Sequence, residues 1–265
     1  MKHPLLEKLL PAFTAMVVIA LWYLVGFGLS EDQKFLLPAP HEIVRALIEK
    51  GPELWQATVN TAVGALAGFG LAIASSFVLA LILSLSPAIR ASLYPCLMVL
   101  QMTPIIILAP ILILIPWIGP GFRSVTSITF LICFFPMVVN TTQGLISTDR
   151  NLVDYFRMCK AGRHQEIFLL RVPAALPFFF TGLRIAGTLA PIGAIVGDFY
   201  AGNSAGGGGG LGFLTIIYSS QFQMAALFAT ALVSCALGFI FVGSVLVVSW
   251  ASLHRWHDSF SKSDV

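Results

Sequence analysis

The 265-residue chain carries fifteen Lys and Arg, twelve Asp and Glu, and a formal net charge of +3. Hydrophobic residues make up 57% of it and charged residues 10%, against about 25% charged in a soluble domain. Too few charges to cover a soluble surface, and too many apolar residues for a disordered chain, leave a polytopic membrane protein. Four scattered cysteines, Cys96, Cys133, Cys159 and Cys235, form no CxxC pair and exclude a disulfide scaffold.

Windows without Asp, Glu, Lys or Arg locate the spans: 9–30, 54–89, 91–122, 124–148 and 199–254. The window 172–197 holds one charge, Arg184. A helix needs about 20 apolar residues to cross the hydrocarbon core. The windows therefore predict six transmembrane helices, at about 9–28, 59–85, 92–115, 124–145, 178–198 and 224–250. Runs such as Ile105-Ile106-Ile107-Leu108 do not alternate as barrel strands do, so the fold class is all-α. The first apolar run exceeds a signal-peptide core and no A-x-A site follows, so it reads as a span.

The first connection, 29–58, contains Leu37-Pro38-Ala39-Pro40, a proline-stiffened extended entry. Ile43, Leu47 and Ile48 predict a short amphipathic helix over 41–50, lying on the outer surface. In the second span, Gly64 and Gly68 form a GxxxG pair suited to close helix packing. The third span holds Pro95, Pro104, Pro110 and Pro116, and each can kink it. Irregular backbone at membrane depth is tolerated against protein or a cavity, so Gln101, Thr103 and Pro104 are candidate pathway residues. The fourth span ends in Asn140-Thr141-Thr142-Gln143, polar side chains that bond neighbouring helices or line a path. Arg184 is the base well inside a span and Asp198 the acid near membrane depth. Intramembrane charge is a functional hypothesis by default, and both join Asn140 and Thr141 as pathway candidates.

The loop 146–176 carries eight charged residues, with Val153, Phe156 and Ile167 among them as apolar contact points. Residues 149–171 read as a helical segment that docks a soluble partner. The region 199–223 is glycine-rich and reads as an outer loop. Gly207 to Gly212 matches G-x-G-x-x-G, but the match follows a membrane span and lacks the strand–helix setting of a dinucleotide site. A flexible gate fits that run better. No G-x-x-x-x-G-K-[ST] occurs, so the chain shows no ATP site. His254 and His257 lack further ligands, and no metal site is expected.

With both termini inside, eleven Lys and Arg face the cytoplasm and four (Lys34, Arg45, Lys50 and Arg123) face out, which favours cytoplasmic termini.

The stretch from Asp154 to Pro177, running on to Thr181-Gly182-Leu183-Arg184, resembles the cytoplasmic coupling loop of ABC importer permeases, with its E-A-A-x3-G-x9-I-x-L-P pattern. With the final proline on Pro173, Asp154 takes the acidic position, Leu170 the isoleucine and Val172 the leucine. The pattern's glycine falls on Lys160, with Gly162 two residues later, and Tyr155 and Phe156 replace the alanines. Leu37-Pro38-Ala39-Pro40, Ala109-Pro110 with Trp117 to Gly121, Phe135-Pro136 with Asn140-Thr141 and Gly144, and Gly210 to Phe213 are similar to the nitrate, sulfonate, taurine and thiamine-precursor branch. The resemblance covers about 35–230. It implies a type I importer permease in the cell inner membrane, a homodimer working with two ABC ATPase subunits and an extracytoplasmic solute-binding protein. Coupling to the ATPase would fall on Asp154, Arg157, Lys160, Ala161, Gly162, Arg163, Ile167 and Pro173. The partners would bind ATP, and the chain itself would need no cofactor and catalyse no reaction. The solute would be a sulfonate-like anion or a small heterocycle. A self-contained ion-coupled carrier or channel is the alternative class. It lacks here the usual intramembrane acids and repeated halves. A membrane enzyme lacks any nucleophile–base or metal constellation.

Overall fold

The computed structural model describes residues 4–28, 30, 35–201 and 209–253, and these contain helices and no strand. In chain order the helices are α1 (Pro4–Gly28), α2 (Pro40–Glu49), α3 (Gly51–Leu85), α4 (Pro87–Met102), α5 (Ile105–Ile113), α6 (Phe122–Ile146) and α7 (Arg150–Met158). They continue with α8 (Arg163–Ala201), α9 (Leu211–Ser220) and α10 (Met224–Leu253). Local chemistry sets several starts. Pro40 opens α2 while Glu42 accepts the Ala39 N–H at 2.9 Å, and Asp149 caps α7 by accepting the Asn151 N–H at 2.9 Å.

Helices α3, α6, α8 and α10 are each long and apolar enough to cross a membrane. The expected first span coincides with α1, in which Phe13–Gly28 is apolar but shorter. The expected third span, 92–115, is not one helix: α4 and α5 meet at 93°. The break falls at Thr103-Pro104, where Thr103 is extended (φ −69°, ψ 125°). Proline excludes helical backbone from the residue before it and offers no N–H of its own. Pro95 and Pro110 lie inside their helices.

Helix α6 lies between α3 and α8, and small residues set the distances. A Cβ on Gly68 of α3 would fall 2.6 Å from the Thr126 carbonyl oxygen of α6, and one on Gly193 of α8 would fall 3.0 Å from the Thr129 Cα. Backbones can approach this closely only where side chains are absent. The buried layer between these helices is made of Ala65, Ala72, Val125, Met137, Ala186 and Ala190. Phe69 and Phe241, edge to face at 5.4 Å, join α10 to it.

A second apolar cluster closes the end of the bundle that carries α2 and α9. Ile43, Leu54, Leu211, Leu214, Tyr218 and Ala229 form it. Ile43 and Ala46 bury the amphipathic face of α2, and Leu47 packs partly against the cluster. Ile48, expected on that face, is instead 75% exposed. The expected loop 199–223 also differs: 211–220 is helical, and Leu211 and Tyr218 are fully buried. Leu211, Leu214 and Tyr218 recur at spacings of three and four, a helical stripe overshadowed in the sequence by the glycine run before it.

Substituting Ala at Gly68 forces α3 and α6 apart and lowers stability by about 1–3 kcal/mol. Ala at Gly70, where nothing lies within 4 Å of the added carbon, leaves stability unchanged or slightly higher. Thermal unfolding of the two variants in one detergent separates them.

Candidate functional site

The charged connection between α6 and α8 folds around α7. Leu152, Tyr155 and Met158 recur every third residue and are 48%, 58% and 77% exposed, an apolar stripe facing away from the bundle. Val153 and Ile167, expected as contact points, are buried and hold the loop to the bundle instead. The sequence does not show that Tyr155 and Met158 face outward, because an exposed stripe and a buried one share the same helical period.

Helix α7 ends in a Schellman turn. The Ala161 N–H donates to the Phe156 carbonyl at 3.0 Å, the Lys160 N–H donates to that of Arg157 at 2.9 Å, and Lys160 has φ +53°. This is the left-handed region that glycine occupies without strain, at the position where the coupling-loop pattern carries glycine. The chain turns at Gly162, whose N–H donates to Gln165 Oε1 at 2.8 Å. The Arg163 guanidinium donates to the Leu85 carbonyl at 2.5 Å, capping the end of α3 across 78 residues of sequence. Glu166–Arg171 is π-helical, and Glu166 Oε1 accepts from Arg171 Nε at 2.8 Å. The π turn precedes Pro173 and Pro177, whose rings and missing N–H groups disfavour α-helical bonding to the residues four before them. The pair of Arg157 and Asp154, at 3.4 Å, has both side chains about two-thirds exposed and adds little stability.

The pathway candidates fall into three groups. Gln101, Thr103 and Pro104 lie at the α4–α5 break, with Gln101 and Pro104 exposed and Thr103 half-buried. Asn140, Thr141 and Arg184 lie along α6 and α8. Asn140 donates to the Pro136 carbonyl at 2.8 Å and packs near Gly182, Thr141 is fully buried, and Arg184 is half-buried.

Asp198 forms a third group. It is 5% exposed, and the Thr61 hydroxyl donates to its Oδ2 at 2.5 Å. The Leu211 N–H donates to the same Thr61 oxygen at 2.8 Å, and the Gly212 N–H bonds the carboxylate. Asp198 and Thr61 thus satisfy the first amides of α9, as a cap would. A Cβ on Gly210 would strike the Asp198 carboxylate, and one on Gly212 the Ile195 carbonyl. The described end of the glycine run therefore serves close approach rather than flexibility, while 202–208 lie outside the described residues. Thr61 carried no sequence signal: it stands in a charge-free window, 137 residues from its acid. Nearby, the Lys50 ammonium sits 5.7 Å from the centre of the Tyr218 ring. Burial pushes the Tyr218 phenol far above its usual range, and the Glu53 carboxylate pushes it further.

Among the described residues no three His, Cys, Asp or Glu side chains cluster as metal ligands, and His254 and His257 lie outside those residues.

A bundle of apolar helices, a broken span and a polar loop that presents an apolar stripe together define the membrane subunit of a transporter. Residues 64–259 match the binding-protein-dependent transport system inner membrane component family, and the chain belongs to it, as a multi-pass permease of the ABC transport class. It is 32% identical to the formylaminopyrimidine transport permease of Halalkalibacterium halodurans, over 88% of this chain and 90% of that one. It is 31% identical to the riboflavin transport system permease of Chloroflexus aurantiacus, over 84% and 81%. A putative aliphatic sulfonates transport permease of Bacillus subtilis is 29% identical over 95% and 87%. These relatives are named as transport permeases, a class without enzymatic activity.

Replacing Thr61 with Val leaves the Asp198 carboxylate and the Leu211 amide short of a partner in a buried site. The expected loss is about 1–3 kcal/mol. Hydrogen exchange at residues 209–214 then accelerates, while exchange in α6 is unchanged.

Proposed function

We propose that the chain is the membrane-spanning subunit of an importer for a small solute. Two copies pair as a homodimer, two ABC ATPase subunits dock beneath them, and a solute-binding protein delivers the cargo from outside. Six spans per subunit follow the charge-free windows, and cytoplasmic termini follow the distribution of Lys and Arg. The exposed apolar faces of α4 and α5, with Val99, Met102, Ile106 and Ile111 each more than half exposed, suit a second copy or lipid.

The observation that carries this reading is the stripe of Leu152, Tyr155 and Met158 on a helix anchored from behind by Val153. On the soluble side of a membrane protein such a stripe is a docking face. Motion imposed on α7 reaches the bundle by two routes. One is the bond from Arg163 to the end of α3, and the other is the unbroken helix from Arg163 into α8. Asp154, Arg157, Lys160, Ala161 and Gly162 shape the docking element, and Ile167 and Pro173 lie in the first turns of α8 that receive its motion. Closure of the ATPases tilts α3 and α8 and alternates access. The solute passes Gln101, Thr103 and Pro104 on one side, and Asn140, Thr141 and Arg184 on the other. Asp198 and Thr141, buried here, meet that path when the helices tilt. ATP binds to the partners.

A small nitrogen heterocycle is the favoured cargo. The relatives at 32% and 31% identity are named for a formylaminopyrimidine and for riboflavin. A sulfonate-like anion, facing Arg184, is the competing cargo, and its relative follows at 29%.

Replacing Tyr155 and Met158 together with Ala lowers co-purification of the ATPase about tenfold or more, if each contributes as an interface hot spot. Uptake of a labelled aminopyrimidine by the reconstituted complex should require ATP. Uptake that persists without ATP and is abolished by an ionophore would overturn the importer in favour of an ion-coupled carrier.

A further inference from the structure

We propose that the cleft behind α7 binds a singly charged phosphodiester, the headgroup of an acidic phospholipid from the cytoplasmic leaflet. The proposal rests on the orientation given above, which puts this end of the bundle at the inner headgroup layer.

The cleft has a volume of about 430 Å³, and Thr148, Arg150, Asp154, Arg157 and Arg171 line it. A second cleft of about 240 Å³ shares Arg157 and Arg171 and adds Arg163 and Glu166. Two of the arginines lining the larger cleft are already paired. Arg157 meets Asp154 at 3.4 Å, and Arg171 meets Glu166. The Arg150 guanidinium pairs with no carboxylate among the described residues. The lining with its paired acids thus keeps one positive charge, which matches the single negative charge of a phosphodiester. The paired arginines retain N–H groups that can still donate to phosphate oxygens.

The setting suits a lipid. The cleft opens where α6 ends at Ile146 and where α8 begins its apolar course at Arg171. Phe168 and Leu169, on the π segment that carries Arg171, are 57% and 66% exposed and offer apolar surface beside the charge. Basic pockets between helices at the cytoplasmic face suit anionic headgroups. An occupied cleft would brace α7 against the ends of α6 and α8, and α8 is one of the two routes through which docking acts.

The test uses the purified permease–ATPase complex, stripped of lipid in mild detergent and examined by native mass spectrometry. Phosphatidylglycerol, phosphatidylcholine and inorganic phosphate are titrated separately. The expected result is a phosphatidylglycerol adduct at one per permease chain, well above that with phosphatidylcholine. Arg150→Gln weakens it about fivefold, and Arg150→Lys retains it. The control Arg123→Gln, on the opposite end of α6, has no effect. Equal retention of both lipids overturns the proposal on the unmodified complex alone, whatever the variants do. So does an unchanged adduct in Arg150→Gln. Saturation by inorganic phosphate without preference for phosphatidylglycerol moves the chemistry to a soluble phosphate and overturns the lipid. An adduct that forms only after the ATPase dissociates assigns the cleft to the ATPase and overturns it too. The same spectra report docking separately. A permease that never carries an ATPase yet holds phosphatidylglycerol supports this site while sinking the docking reading.

Discussion

The close approach of α6 to α3 and α8 is the constraint on which the rest depends. In a membrane, lipid is as apolar as the side chains, so burial alone does little to hold helices together. Contact must come from shape. Gly64 and Gly68 on one side of α6, and Gly182, Gly193 and Gly197 on the other, let backbones meet where any larger residue would hold them apart. Because α6 is wedged between them, α3 and α8 are tied into one packed body.

Polar groups obey the same constraint in another form. Where no water reaches, each donor and acceptor needs a partner from the protein. Asp198 and Thr61 meet that need for the start of α9, and they do so only because two glycines, Gly210 and Gly212, let α9 come near. At the exposed end of α3, the Arg163 side chain caps the Leu85 carbonyl. In both places a helix end becomes a join between elements far apart in sequence.

The four long apolar helices were legible because charge-free windows and helix length are one-dimensional properties. So was the loop that carries α7, because eight charges between two apolar windows have no other place to go. The 93° break was legible as a set of prolines, but not as a position. Four prolines could each bend the segment: Pro95 and Pro110 sit inside helices, Pro116 follows the end of α5, and the break falls at Pro104. Tertiary joins were not legible at all. Nothing local links Thr61 to Asp198, or Arg163 to Leu85. The exposed stripe of α7 was not legible for a related reason. Periodicity gives the faces of a helix, and only the packing of Val153 and Ile167 says which face is inward. At Lys160 sequence and backbone converge: the motif wants glycine, and the chain adopts glycine's conformation with a lysine.

The π segment at Glu166–Arg171 has a geometric consequence. One extra residue in a helical turn shifts the angular phase of everything beyond it by about 100°. The faces of α8 in the membrane are thus set out of step with the faces at its loop end. An uninterrupted α-helix of the same sequence would present a different side of Ile167 and Leu170 to the bundle, and both are buried as they stand. The segment works like an offset between two coaxial gears, letting one rod keep two independent sets of contacts.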